Sequence, residues 1–314
     1  MVIVQPRRVT TRRSLRTRHT LDRVVEPNLL HAPVLDWYAD NARDLPWRAA
    51  DATPWGVLVS EIMLQQTPVA RVLPVWHEWM DRWPTPKALA AEQPGEAVRH
   101  WGRLGYPRRA LRLHACARAV AGEHGGEVPS DHTTLLSLPG IGEYTAAAVA
   151  SFAYGGRHAV LDTNVRRVFA RAVRAVQYPP TATSAAERRL AESLLPELDA
   201  PRWGVAVMEL GALVCTARTP RCADCPITHL CAWRLAGKPP HDGPARKGQT
   251  YAGTDRQCRG RLLDVLRSAH GPVPKAALDA VWDDAVQRER ALDGLVADGL
   301  AEPLDDGTYR LPHS

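Results

Sequence analysis

The chain of 314 residues carries 40 Lys and Arg against 34 Asp and Glu, a formal charge of +6, with 45% hydrophobic residues. That length suits about two domains with a full core. No run approaches the ~18 apolar residues of a membrane span, and six cysteines with no secretory leader argue against a disulfide scaffold, so a soluble, cytoplasmic, monomeric protein is expected. From the N-terminus, residues 1–26 read as a basic, solvated arm: Arg7, Arg8, Arg12, Arg13, Arg16 and Arg18 stand there among few apolar residues, and Pro6 spoils an amphipathic transit helix. Apolar residues at helical spacing then predict helices over 57–66, 69–82, 86–91, 94–101, 108–123, 145–154 and 165–173, divided by Pro, Gly, Asp or Ser. No period-two run is sustained, so the core is mostly α. Residues 236–254, rich in Gly, Pro, Lys and His, read as a linker. Three short helical patterns in 256–300 and a hairpin turning at Asp306-Gly307 predict a small winged-helix-like unit over 255–314. From 251 onward eight basic side chains face eleven acidic ones, so packing or protein contact competes with DNA binding as the role of this unit.

Four cysteines, Cys215, Cys222, Cys225 and Cys231, fall within seventeen residues, with six, two and five residues between them. Four thiolates can converge from so short a loop on a metal or cluster. Zinc modules commonly set two Cys-x-x-Cys pairs apart by a dozen or more residues, whereas here one pair is flanked by single ligands at close range; the spacing favours [4Fe–4S] over zinc. Cys116 reads as a core residue of its helix and Cys258 as a surface thiol.

Three further features carry chemistry or plain structure. In LLSLPGIGEYTAAAVASFAYG, Gly140 and Gly142 permit a tight turn whose free N–H groups at a helix N-terminus can hold a phosphate; any helix–turn–helix corner can also look like this. Glu61 lies in WGVLVSEIMLQQ, apolar nearly all round, where burial would keep a carboxylic acid protonated near neutral pH unless it is simply a structural partner. Asp162 precedes a clear helix in AVLDTNVRRVFARAV; it serves as an N-cap, as a carboxylate set beneath a developing cation, or as both.

LDWYADNARDLPWR, VSEIMLQQTPVARV, GRLGY, LPGIGEYTAAAVASFAYG, LDTNVRRVFAR and MELGALVCTARTPRCADCPITHLC follow one another between about 34 and 235. Together they resemble the signatures of the helix–hairpin–helix DNA glycosylases with an iron–sulfur cluster, and within them the MutY-type adenine DNA glycosylases. The resemblance implies a six-helix barrel over 46–155, a cluster-bearing helical domain from 27–45 and 156–235, [4Fe–4S] on the four cysteines, and a flipped base held between the two domains. It implies double-stranded DNA with a mismatched adenine as partner and removal of adenine opposite 8-oxoguanine or guanine in base excision repair. Glu61 matches the acid that protonates the base, Asp162 the carboxylate that stabilises the sugar cation, and Tyr144 and Asn164 supporting positions. Trp47, Arg48 and Glu209 match residues of the adenine pocket, Gln65 and Tyr106 side chains wedged into the stack, and Gly140 and Gly142 the phosphate-gripping hairpin.

Tyr144 stands where relatives that cut the backbone carry a Schiff-base lysine, which predicts a monofunctional enzyme. Competing readings are a thymine or uracil mismatch glycosylase and a non-catalytic DNA-binding iron–sulfur protein; Glu61 with Trp47-Arg48 favours adenine over the first, and Glu61 with Asp162 argues against the second. Typical MutY proteins add a Nudix-like domain that reads 8-oxoguanine, and nothing after residue 250 resembles it, which leaves the ranking of opposing bases open.

Overall fold

The computed structural model describes residues 28–243 and 251–313. The arm expected over 1–26 and the centre of the linker lie outside the described residues. Among the described residues fifteen α-helices and three short strands follow in order. Helix α1 (Asn28–Asn41) leads to a 3₁₀ turn at Pro46–Arg48, and α2 (Pro54–Met63) opens with Pro at its first position and the Thr53 side chain accepting from Gly56 N–H. Helices α3 (Val69–Arg82), α4 (Pro86–Ala90), α5 (Pro94–Trp101), α6 (Arg108–Glu123) and α7 (His132–Ser137) complete a bundle around Leu58, Trp79, Trp101 and Leu113, all fully buried.

Helix α8 (Glu143–Phe152) is the seam of the molecule, packing on α2 on one side and on α11 (Ala200–Leu213) on the other. Its run of Ala146, Ala147, Ala148 and Ala150, all buried, is what lets both neighbours come close. Helices α9 (Thr163–Ala172) and α10 (Ala185–Ser193) join α1 and α11 in a second core built on Leu30, Val34, Phe169, Trp203 and Leu210. The cysteine loop and the short α12 (Ala232–Leu235) close that lobe. Among the described residues no helix is long and apolar enough to cross a membrane.

The C-terminal unit has α13 (Asp255–Ser268), β1 (Val273–Pro274), α14 (Lys275–Asp279), α15 (Ala285–Ala297), β2 (Glu302–Pro303) and β3 (Thr308–Arg310). β3 lies between the other two strands, antiparallel to both, pairing Val273 with Tyr309 and Glu302 with Arg310. The helical order and the hairpin agree with the expected winged-helix-like arrangement, and β1 adds a strand that Val-Pro gave no period to reveal. Cys258 corrects an expectation: it is fully buried, not a surface thiol. It starts the stripe Cys258, Leu262, Leu266 at four-residue spacing, which faces a core continuous with that of the bundle. The unit therefore packs onto the bundle.

Candidate active site

Glu61 occupies the last turn of α2 and is 5% exposed, with Val57, Leu58 and Leu64 as its helical neighbours. Tyr144, on the first turn of α8, donates its hydroxyl to Glu61 Oε2 at 2.6 Å. Burial pushes the Glu61 carboxyl up to about 7; the Tyr144 bond and the Arg48 charge pull it down, and the nearby Asp162 charge pushes it further up. The Tyr144 phenol itself stays protonated, held well above its ordinary range first by burial and then by the charges of Glu61 and Asp162.

Asp162 caps α9. Its Oδ1 accepts from Val165 N–H at 2.6 Å and its Oδ2 from Asn164 Nδ2 at 2.6 Å. Burial raises its pKa above the ordinary value despite these donors. The two carboxyls have different partners: Glu61 receives one phenolic donor, whereas Asp162 receives an amide and a helix N-terminus, donors that favour its ionised form.

Asn164 is held from behind by Arg167, whose Nη2 donates to its Oδ1 at 2.8 Å. The same guanidinium donates to Gly211 O at 2.7 Å and, through Nε, to Cys215 O at 2.7 Å. Arg48, whose charge acts on Glu61, belongs to a buried ion cluster. Glu209 on α11 is fully buried, with Oε1 bound by Arg43 Nε at 2.6 Å and Oε2 by Arg48 Nη1 at 2.9 Å. Desolvation raises Glu209, but the two arginines outweigh it and hold the carboxylate ionised. Trp47 is buried edge-on against Trp76 at 5.6 Å.

The two glutamines after α2 separate. Gln65 is half-buried and donates to Thr145 Oγ1 at 3.3 Å. Gln66 is exposed with φ 58°, and its Oε1 accepts from the Tyr106 hydroxyl at 2.9 Å. Tyr106 is 52% exposed, has φ 48°, and its ring lies under the Arg109 guanidinium at 4.5 Å. Gln66, not Gln65, is the partner of Tyr106 on this rim. At the hairpin, Gly140 has φ 78° and leaves no room for a side chain, since a Cβ would stand 2.7 Å from Arg112 Cβ. Gly142 is the N-cap of α8, and the space beside it is open.

Cys215, Cys222, Cys225 and Cys231 line one pocket with Arg171, and none of the four is in a disulfide. Arg171 Nη1 donates to Cys215 Sγ at 3.3 Å. Burial pushes the Cys225 thiol up to about 12, so bare thiolates are disfavoured there and metal cations must offset their charge. Four cysteines lining one pocket from a loop of seventeen residues suit a four-thiolate iron–sulfur cluster.

A relative in Mycobacterium tuberculosis described as adenine DNA glycosylase is 55% identical over 281 residues, covering 89% of this chain and 92% of its own length. The adenine DNA glycosylase of Mycolicibacterium smegmatis is 55% identical over 279 residues, covering 88% of this chain and 94% of that protein. The chain belongs to the adenine DNA glycosylase family. The human adenine DNA glycosylase is 40% identical over 240 residues, 73% of this chain but 44% of that protein. Residues 59–195 of the glycosylase match the HhH-GPD superfamily of base excision DNA repair proteins, and residues 215–231 the iron–sulfur binding domain of endonuclease III. A thermostable thymine-DNA glycosylase superposes with a TM-score of 0.61 at 27% identity, covering 67% of this chain and 97% of that one. The fold is that of the helix–hairpin–helix glycosylases, and the cysteine loop is its [4Fe–4S] site.

Sequence reasoning missed Arg43, Gln66, Arg167 and Arg171. For the last two a signal existed: four apart on α9, they place two cations on one face of a helix otherwise lined with Val165, Val168 and Ala172.

Proposed function

We propose that the protein flips a mispaired adenine out of duplex DNA, opposite 8-oxoguanine or guanine, and hydrolyses its glycosidic bond. The observation that carries this reading is Glu61: a carboxyl group buried under a tyrosine hydroxyl and poised near pKa 7, facing a second carboxyl supplied with donors. Glu61 delivers its proton to N7 of the purine, the C1′–N9 bond breaks with its electron pair going to the base, and adenine leaves neutral. Asp162 stabilises the sugar cation, held by Asn164 and the end of α9. Water adds to C1′ and returns a proton to the Glu61 carboxylate, closing the cycle.

Arg48, fixed by Glu209, and Trp47 form the pocket wall for the base. Two lobes, 46–155 and the pair 27–45 with 156–235, frame the cleft. Gly142 offers its open N–H face to a phosphate, and Tyr106 with Gln66 enters the stack beside the mispair. Tyr144 has no amine for a Schiff base, so chemistry stops at the abasic site; efficient borohydride trapping on abasic duplex would contradict this.

Gln66 and Tyr106 at the barrel rim stand where the opposing base is met, and release opposite 8-oxoguanine, guanine and cytosine is expected to fall within about tenfold, less than one good bidentate base contact can impose. The test is single-turnover base release from duplexes with adenine opposite each base, beside thymine:guanine and uracil:guanine duplexes and a Glu61→Gln protein. Adenine release lost in Glu61→Gln supports the reading, and strong preference for 8-oxoguanine sinks the broad range. Pyrimidine release alone would move the protein to the thymine branch, with which it shares its fold.

A further inference from the structure

The C-terminal unit has no part in the chemistry above, yet it meets the bundle at one particular place. Across the seam Gly95 N–H donates to Pro312 O at 2.8 Å, Arg267 Nε to Val98 O at 2.9 Å and Arg99 Nη1 to Ala269 O at 2.7 Å. The rim of that seam reaches the residues on either side of Tyr106. Arg103 Nη2 binds Asp264 at 3.0 Å, Arg108 Nη1 binds Asp298 at 3.1 Å, and Arg259 also binds Asp298.

Between these anchors the chain passes through positive φ angles of 87° at Gly105 and 48° at Tyr106, and another, 53°, stands at Gly102 just before Arg103. A tyrosine in the left-handed region costs free energy that its surroundings must supply. Gln66 and Arg109 hold its side chain from the bundle, and Asp264 and Asp298 hold the flanks of its loop from the other side.

We infer that the C-terminal unit is a brace for the Tyr106 loop, with Asp264 and Asp298 as positioning residues that hold Arg103 and Arg108 and so keep Tyr106 set for entry beside the mispair. The inference rests on the wedge reading of Tyr106 above. Two carboxylates beside the path of a polyanion weaken phosphate binding, so their presence there suits holding a loop rather than gripping DNA. A loop set in advance does not have to be ordered at the moment of entry.

The test uses the full, cluster-loaded chain with Asp264→Asn and Asp298→Asn together, on a duplex carrying fluorescent 2-aminopurine beside the mispaired adenine, so that extrusion is read apart from base release. Extrusion is expected to slow about three- to tenfold, the scale of two exposed ion pairs, with the pH profile of release unchanged and matched-duplex affinity equal or tighter. Arg103→Asp combined with Asp264→Arg restores extrusion relative to Arg103→Asp alone, which a general loss of stability would not allow; failure to restore overturns the ion pair's positioning role. Tyr106→Ala is run in parallel. If it slows extrusion and the double aspartate variant does not, the brace is wrong and the wedge stands. If Tyr106→Ala changes nothing, the wedge reading fails and the brace fails with it.

Discussion

Arg167 donates through Nε to the carbonyl oxygen of Cys215 at 2.7 Å, tying the first cysteine of the cluster loop to the helix that Asp162 caps. Its Nη2 holds Asn164, which in turn holds Asp162. Replacing Arg167 by Gln leaves buried acceptors unpaired at Gly211 and Asn164, each worth about 1–3 kcal/mol, and leaves Cys215 O with only the longer Arg171 bond at 3.3 Å. Base release is expected to fall about 10- to 100-fold, with part of the iron retained. Iron content and the rate per iron-loaded chain separate the effects: a normal rate on the loaded fraction would mean that Arg167 serves only cluster retention.

Glu61 is expected to set the alkaline limb of activity. With its pKa at about 7, release is flat below that value and falls tenfold per unit above it, while the acid limb follows Asp162, itself raised above the ordinary aspartate value. Tyr144→Phe removes a bond that lowers the Glu61 pKa, so the alkaline break moves to higher pH. A single-turnover profile from pH 5 to 9 reads both; an alkaline break that stays fixed would dissociate Glu61 from it.

The same shift bears on stability. The folded Glu61 carboxyl binds its proton more tightly than the unfolded one, so folding stability is intact below about pH 4.5 and declines as pH rises toward 7. Gln cannot ionise. Glu61→Gln is therefore expected to melt higher than the parent at pH 8 and to show no such gain at pH 4.5, by calorimetry at the two pH values, although it is inactive at both.

Gly140 and Gly142 should fail differently. Gly140→Ala puts a Cβ 2.7 Å from Arg112 Cβ at a φ of 78°, so the fold itself is strained and the melting temperature drops. Gly142 has φ −110° and open space, so Gly142→Ala keeps its melting temperature and loses affinity for duplex by obstructing the anion. Thermal melts with fluorescence-anisotropy titrations check both; equal affinity in Gly142→Ala would remove the phosphate from that position.

What was legible in the chain was local. The ends of α3, α5 and α6 agree with their apolar period, and Pro94 opens α5 at a position where its missing N–H does no harm. The end of α2 was not legible: the pattern runs on to Gln66, but that residue leaves the helix with φ 58° where its side chain meets Tyr106, forty positions away. Glu61 stood out because a carboxylate in an apolar run breaks composition rules, whereas Asp162 before a helix reads equally as an ordinary N-cap and gained its role only from the family resemblance. Arg43 and Arg167 did not, since their partners lie 166 and 44 to 48 residues away and only the packing of α1, α9 and α11 brings them together. Cys258, read as a surface thiol, stands between the polar Gln257 and Arg259, but its four-residue spacing to Leu262 places it in the core.

Two glycine replacements of opposite sign test whether the C-terminal unit is part of one cooperative fold. A Cβ on Gly95 would stand 2.6 Å from Pro312 O and 2.9 Å from Leu311 Cβ, so Gly95→Ala must push the terminal segment off α5 and cost about 1–3 kcal/mol. Gly122, in α6, meets nothing within 4 Å, and Gly122→Ala gains up to about 1 kcal/mol of helix propensity. Because Cys258, Leu262 and Leu311 share their core with Trp79 and Trp101, the parent is expected to melt in one transition for bundle and C-terminal unit together. Hydrogen exchange in 308–312 should speed up in Gly95→Ala with the whole transition shifted down, and shift up in Gly122→Ala. An early, separate transition in the parent would mean that the seam is too weak to couple the two.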